Sequence, residues 1–512
     1  MSQTDAKGTI SYLKSGNKTS GFSFANLNYP LVTNTYNEVV GIKNNTTQVV
    51  TIPSFIDNPA DNYIDFSNSK VKRADYDDNG LLTKKYYGNG NHSSSTTEKE
   101  YNYAYNLYGE MSSVSFDGIS KAYSHNDNKT QFTETTSGGG YTYTKQNNYD
   151  GNGYYTSTNY SIKNVAHSSN VSYNSYIKGQ VSSETDGVFN TGYTYSYDSI
   201  NTVRKYLNSA LYSSKTYTYR TVSKGGFTRY TGTPSRVVDS SSYNSSDYSF
   251  GYDATGNITS VTSGGSSYLT YTYDSAGRIA TEKNTRFAKQ YEYGYDANNN
   301  ISYAIEKTLS NITISREDYV YNLDKLTRID RTVYYFDNGV TTSKTFTTDT
   351  YGNHLSYGGS TLAWMQGTRL KSVSKTGADT YEYSYDENGI RYKKERKSSG
   401  GTLLGTTLYY LDGARIIAEE REGAMLKYYY DASGAVGMQY GGNYYYFVKD
   451  EFGNILKIKN ASHTLVAEYE YDAWGNYAIL TNVNNIANIN TFRYRGYYQD
   501  NETGFYYLQT RY

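Results

Sequence analysis

An all-β chain of tandem hairpins is what this sequence predicts, and three observations predict it. The dipeptide Tyr-Asp occurs nine times, beginning at Tyr76, Tyr149, Tyr197, Tyr252, Tyr273, Tyr295, Tyr385, Tyr430 and Tyr471, and its best-kept period is 21 to 22 residues. Proline stands only at 30, 53, 59 and 234, so residues 60–512 hardly contain the residue that interrupts a strand ladder. No segment sustains the i, i+3, i+4, i+7 apolar spacing of a helix, while β-branched and aromatic residues fill the stretches between turns. A period of this length marks a repeat array rather than a string of separate domains.

Residues 1–75 read as a strand-rich segment outside the repeat pattern. Residues 76–425 read as repeats, eroded at first and regular from about residue 250. A good copy has the form Tyr-x-Tyr-Asp-x-x-Gly-Asn/Arg-Ile, as in Tyr271-Thr-Tyr-Asp-Ser-Ala-Gly-Arg-Ile279. Alternation places the rings on one face of an extended strand. Asp253, Asp274 and Asp386 then start turns in which the carboxylate accepts a backbone N–H two residues on. Gly256, Gly277 and Gly389 supply the positive φ that a side chain resists. Each repeat is thus one hairpin, with strands of roughly 8 residues and about 25 Å. Weaker copies begin at Tyr321, Phe336, Tyr351 and Tyr410, and Ile416–Glu422, whose pattern also fits one helical turn, has flanks that read as strand. Clusters such as 137–140, 263–267 and 398–401 read as hairpin tips, and the first boundary in the pattern falls near residue 425.

Composition narrows the function classes. Tyrosine fills 66 of 512 positions and hydrophobic residues sum to 37%, so tyrosine itself must supply much of the buried area. A chain this aromatic is expected to fold. Lys+Arg and Asp+Glu are 49 each, a formal charge of zero that removes the footprint of a nucleic-acid binder. The absence of cysteine excludes disulfides, zinc-thiolate sites and thiol nucleophiles. No apolar run reaches the length of a membrane helix, and residues 1–8 lack the pattern of a signal peptide.

Candidate chemistry is sparse. Asp75-Tyr-Asp-Asp-Asn-Gly80 matches half a calcium loop, but Tyr86 stands where the bidentate Glu belongs, so a repeat turn is the expectation. The histidines at 92, 125, 167, 354 and 463 form no i, i+4 pair. There is neither a Gly-x-Ser-x-Gly elbow nor a phosphate-binding Gly-x-x-x-x-Gly-Lys loop. Acids bonded to turn N–H groups have depressed pKa values and make poor general acids. No cofactor or metal is therefore expected.

With these motifs the sequence resembles the YD-repeat, or rearrangement-hotspot (Rhs), family, and residues 426–512 resemble its repeat-associated core domain. Three pieces carry the likeness. Tyr444–Ile455 holds Asp450, Gly453 and Asn454. Leu465–Asn476 holds Tyr471, Asp472, Trp474, Gly475 and Asn476. Phe492–Tyr512 holds Arg493, Tyr494, Arg495, Gly496, Asp500, Glu502, Thr503, Gly504, Tyr506, Tyr507 and Arg511. The resemblance implies a β-ribbon spiralling into a hollow shell that encloses a C-terminal toxin. It also implies a core domain that plugs one end and releases the toxin through aspartates beyond the last motif. This sequence stops at Tyr512, before those aspartates, so no catalytic residue is carried over and the chain reads as a piece of a larger product. Arg493, Arg495 and Arg511 are expected to anchor the plug against Asp500 and Glu502 and to stack on neighbouring rings.

The expected function is a structural shell that is not itself an enzyme. Its expected partner is a C-terminal toxin or effector, served by a secretion or surface apparatus, and its expected location is secreted or cell-surface. The alternative is an adhesive or carbohydrate-binding repeat protein that offers exposed tyrosine faces to glycans. The shell reading expects most rings to stack on one another.

Overall fold

The structure is a computed structural model. It describes residues 2–5, 8–15, 18–24, 27–33, 39–44, 47–51, 71–89, 96–175, 179–196, 198–224, 227–335, 338–349, 352–365, 368–471 and 475–509. Asp472, Trp474 and Arg511, and the repeat positions Tyr197, Phe336 and Tyr351, lie outside the described residues.

Within each sheet, strands that follow one another in sequence pair antiparallel, as a chain of hairpins must. A six-stranded sheet runs from Ser2–Asp5 to Thr47–Thr51. The strands from Val71–Tyr76 to Asn338–Thr345 form a sheet closed into a barrel. A 13-stranded sheet runs from Ser356–Tyr357 to Tyr477–Asn482, and Tyr498–Gln499 pairs with Tyr506–Tyr507 in a small ribbon. The hydrogen-bonded sheets therefore part at 346–355, while residue 425 falls inside the strand Ala424–Asp431.

The repeat turns show why Asp and Gly stand where they do. Asp253 Oδ1 accepts the N–H of Thr255 at 2.9 Å and that of Asn257 at 2.8 Å. Asp274 and Asp386 do the same for residues two and four ahead. Gly256 has φ +94°, a left-handed conformation that an L side chain resists. The register shifts by one residue just before the turn, at Gly251/Tyr252, Thr272/Tyr273 and Ser384/Tyr385. This bulge twists the strand. Asp77 makes the same turn, its Oδ1 accepting from Asn79 and Leu81, so the half calcium loop is built as a repeat turn.

In the regular repeats the tyrosine before the turn hooks the previous hairpin. Tyr273 Oη donates to Ile258 O at 2.6 Å, Tyr295 to Ile279 O at 2.9 Å, Tyr385 to Leu370 O at 2.8 Å and Tyr471 to Ile455 O at 2.9 Å. Each acceptor opens the return strand of the hairpin before. The ring lies over the sheet and its hydroxyl pairs a carbonyl that faces it.

The core lies between layers. Tyr101, Phe116, Tyr141, Tyr143 and Tyr160 of the barrel pack on Tyr392, Leu408, Tyr410 and Ile417 of the third sheet. Further along, Phe189, Leu207 and Tyr212 meet Tyr429, Val436 and Tyr446. Ring contacts cross this seam, Tyr212 stacking on Tyr446 at 4.2 Å and Tyr141 meeting Tyr410 edge-on at 5.3 Å. Lysines of the barrel cross it too. Lys121 reaches Asp386 (3.0 Å) and Glu387 (2.9 Å), Lys145 reaches Asp412 (3.2 Å), Lys205 reaches Asp431 (2.7 Å) and Lys215 reaches Glu451 (2.5 Å). The other face of the third sheet carries the terminal segment, through Ile486, Phe492, Tyr498 and Tyr507.

Candidate functional site

The terminal segment 483–509 lies on the third sheet, and the three core motifs meet beneath it. It opens with a single α-helical turn, Ile486–Ile489, that no apolar spacing announces. Neighbours rather than propensity hold this turn: Asn482 Oδ1 accepts the Ala487 N–H, and Tyr469 Oη and Arg493 Nη2 donate to Ala487 O.

The first and third motifs join where the Arg495 N–H donates to Asn454 Oδ1 at 2.9 Å. Asn454 is held in turn by Asp450, whose Oδ2 accepts from Asn454 Nδ2 at 2.7 Å and whose Oδ1 accepts the N–H groups of Phe452 and Asn454. Burial pushes the Asp450 carboxyl up, against these bonds. The second and third motifs join at Gly475. A Cβ there would lie 2.7 Å from the Tyr494 ring, so only glycine fits, and Tyr506 Oη donates to Gly475 O at 3.0 Å. Tyr471 lies 6.1 Å from the Tyr494 ring, Gly453 abuts the Arg495 backbone, and Asn476 follows on the exposed side.

Four fully buried charges, Arg391, Glu419, Arg493 and Asp500, pin the segment. Asp500 accepts from Arg391 Nη1 at 2.6 Å and has Lys394 at 3.5 Å, while Lys394 also pairs with Glu502. The Arg391 guanidinium is ringed by Tyr383, Tyr409, Tyr498 and Tyr507 at 4.4 to 5.2 Å, and Tyr507 Oη accepts the Arg391 N–H. Asp500 also closes its own turn, its carbonyl accepting from Thr503 and Gly504. Glu419 receives Arg421 at 2.5 Å, Tyr498 Oη at 2.7 Å and Tyr428 Oη. Burial works against its charged form, yet Arg421 and the two hydroxyls hold its carboxyl below the usual range. Arg493 lies over Tyr477 at 4.4 Å and donates to the carbonyls of Ala487 and Asn490, to Tyr477 Oη and to Gln499.

These contacts correct the expected pairing. Arg493 faces carbonyls and a ring rather than Asp500, and Arg495 lies over Tyr494 at 5.3 Å rather than beside Glu502. The partners of both acids come from the strand Arg391–Lys397, far upstream, which runs beneath the segment. Sequence reasoning missed Arg391, Lys394, Glu419 and Arg421. Their signal is a charge-dense stretch inside repeats that otherwise alternate Tyr with small polar residues, and it reads as a solvated face until the fold buries it.

The arrangement is chemically a clamp. Asp500, Glu502 and Glu419 are engaged by cations or tyrosine hydroxyls and Asp450 by amide groups, and among the described residues no three His, Asp or Glu side chains converge on one point.

Comparison with known proteins agrees with this architecture. The RHS Repeat family model matches residues 252–286. The tRNA3(Ser)-specific nuclease WapA of Bacillus spizizenii is 35% identical over 173 residues, and the tRNA nuclease WapA of Bacillus subtilis 34% over 172. Each match covers 32% of this chain and 7% of the relative, so the chain corresponds to a small part of those nucleases. Among solved structures, a TcdB2-TccC3-Cdc42 complex superposes on 98% of this chain with TM-score 0.61 at 14% identity, covering 29% of that chain. A Photorhabdus luminescens Tc holotoxin pore does so with TM-score 0.60 at 14% identity, over 98% of this chain and 28% of that one. Residues 252–286 thus carry an RHS repeat, and the chain as a whole shares the β fold of those two structures.

Proposed function

We propose that this chain is the wall and end-plug of an Rhs shell that encloses a C-terminal toxin or effector and belongs to a secreted or surface-bound protein. The observation that carries the reading is the sheet closed on itself, with the 13-stranded sheet packed against it and the clamped segment 483–509 on that sheet. The relatives support it: one solved likeness is part of a toxin pore, and the matched curated relatives are named as nucleases. On this reading the nuclease chemistry belongs to an effector and the chain supplies the container. The test is small-angle scattering. A hollow wall gives a radius of gyration well above the roughly 24 Å of a compact globule of this length, and a pair-distance curve skewed to long distances. A curve fitting a solid globule overturns the reading.

A further inference from the structure

Two cavities flank the turn of the first core motif. The second, of about 530 Å³, opens between the barrel and the third sheet. Three lysines line it. Lys205 comes from the strand Ser199–Leu207, Lys215 from Ala210–Lys224 and Lys449 from Asn443–Lys449. Two are matched with acids, Lys205 with Asp431 and Lys215 with Glu451. The other acids of the lining are occupied. Asp239 accepts from Ser213 Oγ and from the N–H groups of Ser214 and Ser241, and Asp450 closes its turn. Lys449 is left with neutral acceptors, Ser433 O at 2.7 Å and Ser433 Oγ at 3.2 Å. Among the described residues no carboxylate lies within ion-pair distance of its amine.

We propose that Lys449 is a nucleophilic amine that condenses with small aldehydes entering this cavity. An amine desolvated beside other cations, with no anion to hold its proton, is the environment that activates lysine. Burial, reinforced by Lys205 and Lys215 and only partly offset by Asp431, pushes Lys449 down to about 7. The neutral nitrogen attacks the carbonyl carbon and a C–N bond forms. As it forms, the C=O π pair moves to oxygen, which takes up a proton from solvent while the nitrogen sheds one; the carbinolamine then loses its hydroxyl and the remaining nitrogen proton as water to leave an imine.

The test uses the whole chain, glycolaldehyde at a limiting dose, and cyanoborohydride to trap imines, with each lysine quantified by peptide mass mapping. At pH 7 Lys449 is modified at least tenfold faster than the median lysine, and the excess shrinks towards parity by pH 10, where ordinary lysines also deprotonate. In a Lys205→Met variant Asp431 is released to pair with Lys449, and the excess at pH 7 falls severalfold. Labelling of Lys449 no faster than the median at pH 7, or an excess that does not change with pH, overturns the proposal.

Discussion

At the scale of single residues, buried charge decides how the chain end is held. Arg391 and Asp500 are both fully buried, so each depends on the other for solvation. Arg391→Met leaves Asp500 with only the longer Lys394 contact, and a loss of about 3–5 kcal/mol is expected in urea unfolding, as when one partner of a buried pair is removed. Arg391→Lys restores little, because a point charge cannot stack among four rings. Asp431 is a second such residue. Burial raises its carboxyl, but Lys205 and Ser433 outweigh it and hold it at about 2. That lies below the ~3.9 of an unfolded aspartate. Its contribution is therefore fully present above about pH 4 and is lost as the pH falls towards 2. Asp431→Asn is expected to remove about 2 kcal/mol of acid-dependent stability in that window, read from urea midpoints between pH 2 and 5.

At the scale of the hairpin, the physics is local and the sequence shows it openly. Asp, Gly and the alternating tyrosines identify turn, strand and facing, because each does its work within a few residues of itself. Gly256 sits in open space at φ +94°, so Gly256→Ala carries a backbone cost alone, about 1 kcal/mol. Tyr273→Phe removes the hydroxyl that meets Ile258 O while keeping the ring, at a cost of ~1 kcal/mol. Both are measured by thermal or urea unfolding, and equal stability of either variant with the parent contradicts its assignment. What sequence reasoning did not reach is how far apart in the chain the partners are. Tyr141 and Tyr410 meet across more than half the chain, and Asp500 finds Arg391 rather than the nearby Arg493, because packing of one sheet on another sets these pairs. The single turn Ile486–Ile489 was illegible for the same reason, since its support is tertiary. The sheet division at 346–355 has no break in the repeat pattern to announce it.

At the scale of the molecule, two kinds of contact have different ranges. Hairpin pairs and tyrosine hooks join neighbours in sequence, whereas the seam between barrel and third sheet rests on tyrosine packing and on a row of lysine–carboxylate pairs. These ion pairs are largely buried, so each acid depends on its lysine, and hairpins do not depend on them. The seam is therefore expected to open as a unit while the hairpins stay folded. Native-state hydrogen exchange tests this. Amides of strands such as Ala424–Asp431 are expected to share an opening free energy below that of global unfolding, lowered further by Lys121→Glu. Identical protection throughout the chain would show a single cooperative unit.

The hooks of the tyrosines all point one way. Each hydroxyl reaches back to a hairpin made earlier in the chain, from Tyr105 to Leu82 O through to Tyr471 and Ile455 O. A ribbon so built has a direction of growth. A hairpin leaving a ribosome or a narrow channel finds its hook's acceptor already in place behind it, so neighbouring hairpins can be fastened course by course at the pace of delivery, and the seam closes later. The same polarity makes the hairpin the natural unit of insertion and loss. A whole added copy brings its own hook and offers its own carbonyl to the next, so the array can change length without breaking its fastening.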